Sequence, residues 1–367
     1  MIFIKHYNKI MNNFININDN KNSIIVGNLQ EKVKDYARHA FAKNTIKNYH
    51  SDWKIFCTWC ESLNINSLNI THNTLIAYIT FLAEENYKAS TIQRKISAIY
   101  KYCETKNIHI NLQDKEFKIV WQGIRRKIGI AKQGKDPILL KDLEEILQHI
   151  PKNTHMGIRD RALLTFGWFS AMRRSELVKL NWQDISFIKE GIIINIRQSK
   201  TDKFGEGQKI AILKRKIFCP IKHLKAWQKI NNNEAVFCSV NKADKVTGIR
   251  LSCIDVARIT KKHSAKIDFD TSKIAGHSLR RGFVTTAVSS GIRNHIIMKT
   301  TRHKSSKMID DYTHDHSLLE NNATNMMITP KSSSKKFNSI LKNYLQFQTA
   351  YKLYNKIKNN IKNFFNF

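Results

Sequence analysis

Gly276-His277-Ser278-Leu279-Arg280-Arg281-Gly282 is followed by Thr301-Arg302-His303-Lys304-Ser305 and then by Asp310-Asp311-Tyr312. On a helix, residues three apart share a face, so His277 and Arg280 can point into one pocket. A single His-x-x-Arg is common on protein surfaces. Its company gives it meaning. Ala171-Met172-Arg173-Arg174-Ser175-Glu176-Leu177 stands upstream, Ser199-Lys200-Thr201-Asp202 lies between two predicted strands, and Tyr312 falls nine residues beyond His303. The set holds arginines, a lysine, histidines and a tyrosine, and no second Cys or His pair stands at metal-ligand spacing.

The composition around this cluster points the same way. The 367 residues carry 62 Lys+Arg against 29 Asp+Glu, a formal charge of +33. Such a surplus speaks for a polyanionic partner, with nucleic acid first and an anionic membrane second. No run of about 18 apolar residues marks a membrane span. The apolar opening Met1-Ile2-Phe3-Ile4 is broken by Lys5, and Met11 is an alternative start. Hydrophobic content of 42% supports real cores, and 13 Gly with 4 Pro exclude collagen-like and Pro-rich classes. The six Cys form no disulfide framework, which predicts a reducing, cytoplasmic compartment. Cys57 and Cys60 fall at helical spacing with Trp53 and Phe56, so a packed helix face is expected there rather than a redox or zinc site.

Periodicity divides the chain into five parts: an Asn-rich leader (1–30), a helical domain (31–122), a basic linker (123–137), a second domain (138–328) and a Lys-rich amphipathic tail (329–367). In the first domain, Ser90 to Gln93 reads as a capping box, and Ile92, Ile96, Ile99, Tyr100 and Cys103 form an apolar stripe behind it. Arg94 and Lys95 on another face, with Arg125 and Arg126 in the linker, are candidate DNA-phosphate contacts. In the second domain, 191–197 and 208–213 are predicted strands flanking a Gly205/Gly207 turn, and helices surround them. The expected fold is mainly α with a small antiparallel β-sheet in the C-terminal domain. The tail holds eight Lys and no acid.

The ordered cluster resembles the tyrosine recombinases of the phage-integrase family, most closely over 273–316. The similarity extends through Arg173-Arg174-Ser175-Glu176-Leu177-Val178 and Gln198-Ser199-Lys200-Thr201-Asp202 into Thr45, Tyr49, Phe56, Trp59 and Cys60 of the helical domain. The resemblance implies a two-domain C-shaped clamp on double-stranded DNA, assembled as a homotetramer on two paired sites, with no cofactor and no metal. An accessory DNA-bending protein is left open. It further implies that Arg173 and Arg280 grip the scissile phosphate, which suits guanidinium groups because they bond two oxygens and stay charged. By the same pattern His277 accepts the tyrosine proton, His303 donates to the phosphate, and Lys200 protonates the leaving 5′ oxygen. Tyr312 is the covalent nucleophile and Glu176 supports the pocket.

Three departures accompany the resemblance. Arg302 stands where the family usually has Gly before the second histidine, and is expected to strain the loop presenting His303. Ala171 replaces another common Gly, and Asp310 and Asp311 place negative charge beside Tyr312. The expected activity is site-specific recombination by the integrase of a phage or other mobile element. The alternatives are a chromosome-dimer-resolving recombinase, a type IB topoisomerase, and a decayed DNA-binding clamp.

Overall fold

The computed structural model describes residues 43–131, 134–197, 199 and 206–309, with isolated positions at 29, 32, 35 and 36. The chain divides between Gln133 and Gly134 into two compact units, each with its own core.

Among the described residues the first unit contains four helices: α1 (Lys43–Ser62), α2 (His72–Glu84), α3 (Ala89–Thr105) and α4 (Lys115–Ile128). Two of them start where a side chain satisfies an otherwise orphaned amide. Thr71 Oγ1 accepts from Thr74 N at 3.2 Å, and Asp114 Oδ1 accepts from Phe117 N at 3.0 Å. The core is rich in rings, with Trp53 stacked on Tyr102 and Phe56 edge-on to Tyr78 at 4.9 Å. Cys60 is buried among them and Cys57 packs at their margin, as the helical spacing predicts.

Three expectations for this unit need correction. Ser90 lies inside α3, whose N-cap is Lys88 with no side-chain cap bond. The stripe of α3 buries Ile92, Ile96, Ile99 and Cys103, but Tyr102 takes the place expected for Tyr100, which is 41% exposed. Lys95 is only 2% exposed, and its ammonium bonds Asp52 Oδ1 at 3.3 Å, so burial removes it from the candidate DNA contacts. An ammonium at that depth requires a counter-charge, and α1 supplies it.

Helix α4 also runs through residues 123–128, which the loss of periodicity had placed in the linker. Phe117 and Ile124 are its buried pair, while Arg125, Arg126 and Lys127 crowd its last turn, where cations complement the helix dipole.

The second unit is built around α6 (His155–Ser170), which is buried along nearly its whole length. Its N-terminus is capped twice. Thr154 Oγ1 accepts from Gly157 N at 3.1 Å, while Asp244 accepts from the amides of His155 (2.7 Å) and Met156 (2.9 Å). Packed around it are α5 (Leu140–Gln148), the one-turn α7 (Arg174–Leu177), α8 (Pro220–Gln228), α9 (Cys253–Ser264), α10 (Ser278–Ser289) and α11 (Asn294–Thr301).

The three-stranded antiparallel sheet β1 (Ile185–Phe187), β2 (Gly191–Ile196) and β3 (Gln208–Leu213) pairs Ile185 with Ile194 and Ile194 with Ile210. The two predicted strands are β2 and β3. Strand β1 went unpredicted, as did the short hairpin β4 (Cys238–Val240) and β5 (Val246–Arg250), whose outer strand is mostly exposed and lacks alternation.

Gly282 marks the closest approach in this unit. A Cβ there would stand 1.6 Å from the Ile138 carbonyl oxygen and 2.9 Å from Trp168 Nε1. These atoms form a working contact, since Trp168 Nε1 donates to Ile138 O at 2.8 Å and Ile138 N donates to Ser278 O at 3.1 Å. The residue that ends the opening stretch is thus what lets α10 lie against the segment leading into α5. The leader, the tail, and Lys200, Asp310, Asp311 and Tyr312 lie outside the described residues.

Candidate active site

Helices α6 and α11 of the second unit each end in a left-handed turn made by a residue other than glycine. Helix α6 ends at Ala171 (φ 47°), and α11 ends at Arg302 (φ 59°). A single guanidinium joins the two ends. Arg280, buried on α10, donates from Nη1 to Ala171 O at 2.6 Å and from Nη2 to Thr301 O at 2.5 Å. The fork geometry of arginine suits this role, because its rigid plane fixes two acceptors at once.

The turn after Ala171 leads into α7 and presents Arg173 as the N-cap. Glu176, three residues on, reaches back so that its Oε2 accepts from Arg173 N at 2.9 Å and its Oε1 from Arg173 Nη1 at 2.9 Å. A third bond comes from the other side of the site, where Arg302 Nη2 donates to Glu176 Oε2 at 2.7 Å. Burial works to raise the Glu176 pKa, but the Arg302 charge and the bonds from both arginines outweigh it and hold the carboxyl below its ordinary value. The neighbouring Arg174 is engaged differently, its aliphatic stem lying against Gly276, where a Cβ would meet Arg174 Cδ at 3.0 Å. Of the adjacent pair, Arg173 therefore belongs to the charged cluster.

His303 is buried beside these arginines. Its Nδ1 lies 2.8 Å from Thr301 Oγ1, and that hydroxyl donates its one hydrogen to Ile297 O at 2.8 Å. Thr301 must then accept from His303 Nδ1–H, which makes Nε2 the unprotonated nitrogen of the neutral ring. Burial, followed by the charges of Arg280, Arg173 and Arg302, pushes the His303 pKa down to about 4.

His277 stands exposed at the N-cap of α10, one turn before Arg280 on the same helix. The structure thus brings Arg173 and Arg302 onto the Glu176 carboxylate and sets both, with Arg280, close enough to His303 to act on its charge, while His277 stands at the head of the helix that carries Arg280. Of the proposed DNA contacts, Arg94 is 42% exposed at its side chain and pairs with Asp52, while Arg125 and Arg126 are exposed on α4.

Sequence reasoning missed the bonding roles of Thr301 and Arg302. The left-handed geometry expected at Arg302 is observed, at a cost of about 1–2 kcal/mol for a residue with a Cβ. In addition, Arg302 Nε and Nη1 are buried without a partner, about 1–3 kcal/mol of lost hydrogen bonding for each. A glycine would carry neither cost. The signal available in the sequence was the arginine itself, set where only glycine is comfortable.

Fixed guanidinium groups, a neutral buried imidazole and a second histidine on an adjacent helix end give this part of the chain the chemistry that can receive an anionic group, in a chain with a charge of +33. The comparisons carry this further. Residues 138–318 match the Phage integrase family, and residues 36–106 match the Phage integrase N-terminal SAM-like domain. The integrase/recombinase xerD homolog of Selenomonas ruminantium is 34% identical over 328 residues, 87% of this chain and 95% of the relative. Tyrosine recombinase XerC of a Staphylococcus aureus strain is 22% identical over 288 residues, covering 75% and 87%.

Among solved structures, a lambda integrase dimer bound to a COC′ core site superposes with TM-score 0.54 at 18% identity, covering 78% of this chain and 94% of that one. XerH bound to palindromic difH substrate in a post-cleavage complex gives TM-score 0.53 at 18% identity, covering 70% and 72%. These two establish likeness of fold. The chain belongs to the phage integrase family of tyrosine recombinases, enzymes that cut and rejoin DNA strands with a tyrosine nucleophile.

Proposed function

We propose that this protein is a site-specific DNA recombinase that acts through a 3′-phosphotyrosyl intermediate formed on Tyr312. The observation that carries the reading is the grouping of Arg173 and Arg280 near the buried His303, with Arg173 held by the Glu176 carboxylate. The Tyr312 oxygen attacks the scissile phosphorus and gives its proton to His277. The bond from phosphorus to the 5′ oxygen breaks, and Lys200 supplies the proton that the departing oxygen takes up. An ammonium suits that step because it is a real proton donor, whereas a guanidinium is a poor one. Arg173 and Arg280 balance charge on the non-bridging oxygens. Burial and then the arginine charges keep His303 neutral; an incoming phosphate offsets the arginine charges, so the ring protonates at Nε2 and donates there. Exchange of the 5′ hydroxyl and reversal of the same steps reseals the strand.

The substrate is double-stranded DNA, and the working assembly is a homotetramer on two paired sites, acting as the integrase of a phage or other mobile element. The extended N-terminus and the eight-lysine tail favour that role. A chromosome-dimer-resolving role is the second reading, favoured by the XerD and XerC names of the relatives. Among the described residues no helix is long and apolar enough to cross a membrane, and the proposed location is on DNA.

The test is incubation with nicked suicide duplexes drawn from the DNA flanking the gene, in EDTA. A covalent protein–DNA adduct with the native chain and none with Tyr312→Phe is the expected result. DNA binding without an adduct would leave the decayed-clamp alternative standing. Relaxation of plasmids lacking any paired site would indicate topoisomerase action instead.

A further inference from the structure

We propose that Arg302 is a positioning residue of the strand-cleavage site: through Glu176 it fixes Arg173, and it adds a third fixed positive charge around the scissile phosphate. The inference rests on the phosphotyrosyl reading above and deepens it. Among the described residues bonded in this cluster, Glu176 is the carboxylate, and it serves two guanidinium groups, Arg173 through Oε1 and Arg302 through Oε2. Without Arg302, the charge of Glu176 would be matched by Arg173 alone, and the cluster of Arg173, Arg280 and Glu176 would sum to +1. With it, the same groups sum to +2, so Glu176 can orient Arg173 without cancelling the field that phosphate meets.

Apart from its pair with Glu176, the local structure gives no benefit that would retain an arginine at this position. Its backbone is in the left-handed region, its side chain is 5% exposed, and two of its donors are buried without partners. The backbone conformation by itself favours glycine. The arginine field also reaches His303, since Arg302 is among the charges that lower its pKa. Arg302 therefore acts on both named phosphate ligands next to it, on Arg173 by way of a shared carboxylate and on His303 by proximity.

The experiment compares the full-length native chain with Arg302→Gly and Arg302→Lys on suicide duplexes carrying either a normal scissile phosphate or a methylphosphonate, which lacks the charge on one non-bridging oxygen. Arg302→Gly should slow adduct formation about 10- to 100-fold on the normal phosphate, the scale expected when a catalytic group is misplaced. Its deficit should shrink on the methylphosphonate. Arg302→Lys, which keeps a charge within reach of Glu176, should recover much of the rate. DNA affinity should stay within about twofold, and rates are compared at a temperature where Arg302→Gly, which loses the buried pair with Glu176, is still folded.

A deficit of equal size on both substrates would show a purely structural role and overturn the inference. So would an Arg302→Gly rate within twofold of native. If the native chain itself forms no adduct, the phosphotyrosyl reading fails and this inference falls with it. A native adduct matched by Arg302→Gly removes this inference alone.

Discussion

Thr301 Oγ1 and His303 Nδ1 lie 2.8 Å apart, and because the hydroxyl donates onward to Ile297 O, the imidazole must be the donor between them. The contact spans only two residues, across the left-handed turn at Arg302. It orients a ring whose pKa is pushed down to about 4 by burial and the surrounding arginines.

That depression gives stability a pH dependence of definite sign. Between the unfolded value of about 6.5 and the folded value of about 4, the unfolded chain binds the extra proton, so stability falls as pH falls through this window. A full depression of that size corresponds to about 3 kcal/mol. His223, pushed to about 4 by burial with help from Arg161 and Lys222, adds to the same slope. Urea unfolding from pH 7 to pH 4 should show the loss, and His303→Gln should flatten it. Bound DNA should raise the His303 pKa, as an NMR titration would report; an unchanged value would count against contact with phosphate.

Arg280 supports the fold in addition to its proposed role in the chemistry. Arg280→Ala strands the carbonyls of Ala171 and Thr301 and should cost about 2–4 kcal/mol in urea unfolding, the range for losing charge-assisted bonds to buried acceptors. Arg280→Lys keeps the charge but loses the two-pronged grip, so it should recover only part of that stability.

The basic residues of the first unit should separate by assay. Lys95→Ala leaves Asp52 with Arg94 alone at a buried site, and should destabilise by about 3 kcal/mol with little effect on the salt dependence of DNA binding. Replacing both Arg125 and Arg126 with Ala should leave stability within about 0.5 kcal/mol. If both touch phosphate, the slope of log affinity against log salt should fall by about 2.

Gly282→Ala forces a methyl group to within 1.6 Å of the Ile138 oxygen, against backbone rather than a movable side chain. A loss of about 3 kcal/mol or more is expected, together with loss of the Trp168 Nε1 bond, visible as a change in tryptophan fluorescence.

Much of this was legible in the sequence because it rests on short-range order. The helical stripes, the isoleucine-rich strands β2 and β3, and the His277-to-Arg280 spacing all follow from periodicity within a few turns. What escaped depends on contacts between distant segments. Burial of Lys95 is decided by Asp52, 43 residues away. The role of Arg302 is decided by Glu176, 126 residues away. Hairpin β4–β5 lacks the alternation that marks a strand, and α4 continues through a stretch whose glycine and charges imitate a linker. Glycine rules did point to the correct backbone shape at Arg302, but they registered only the cost and not the bond.

Helix α6 is fastened at both ends, by Asp244 on the amides of His155 and Met156 and by Arg280 on the carbonyl of Ala171. An α-helix turns about 100° per residue, so one inserted or deleted residue between these clasps would swing Ala171 and the following Arg173 by that angle while both anchors stayed in place. The sixteen positions of α6 therefore work as a gauge of fixed length. Relatives of this chain should keep the residue count between the first clasp and Arg173 unchanged.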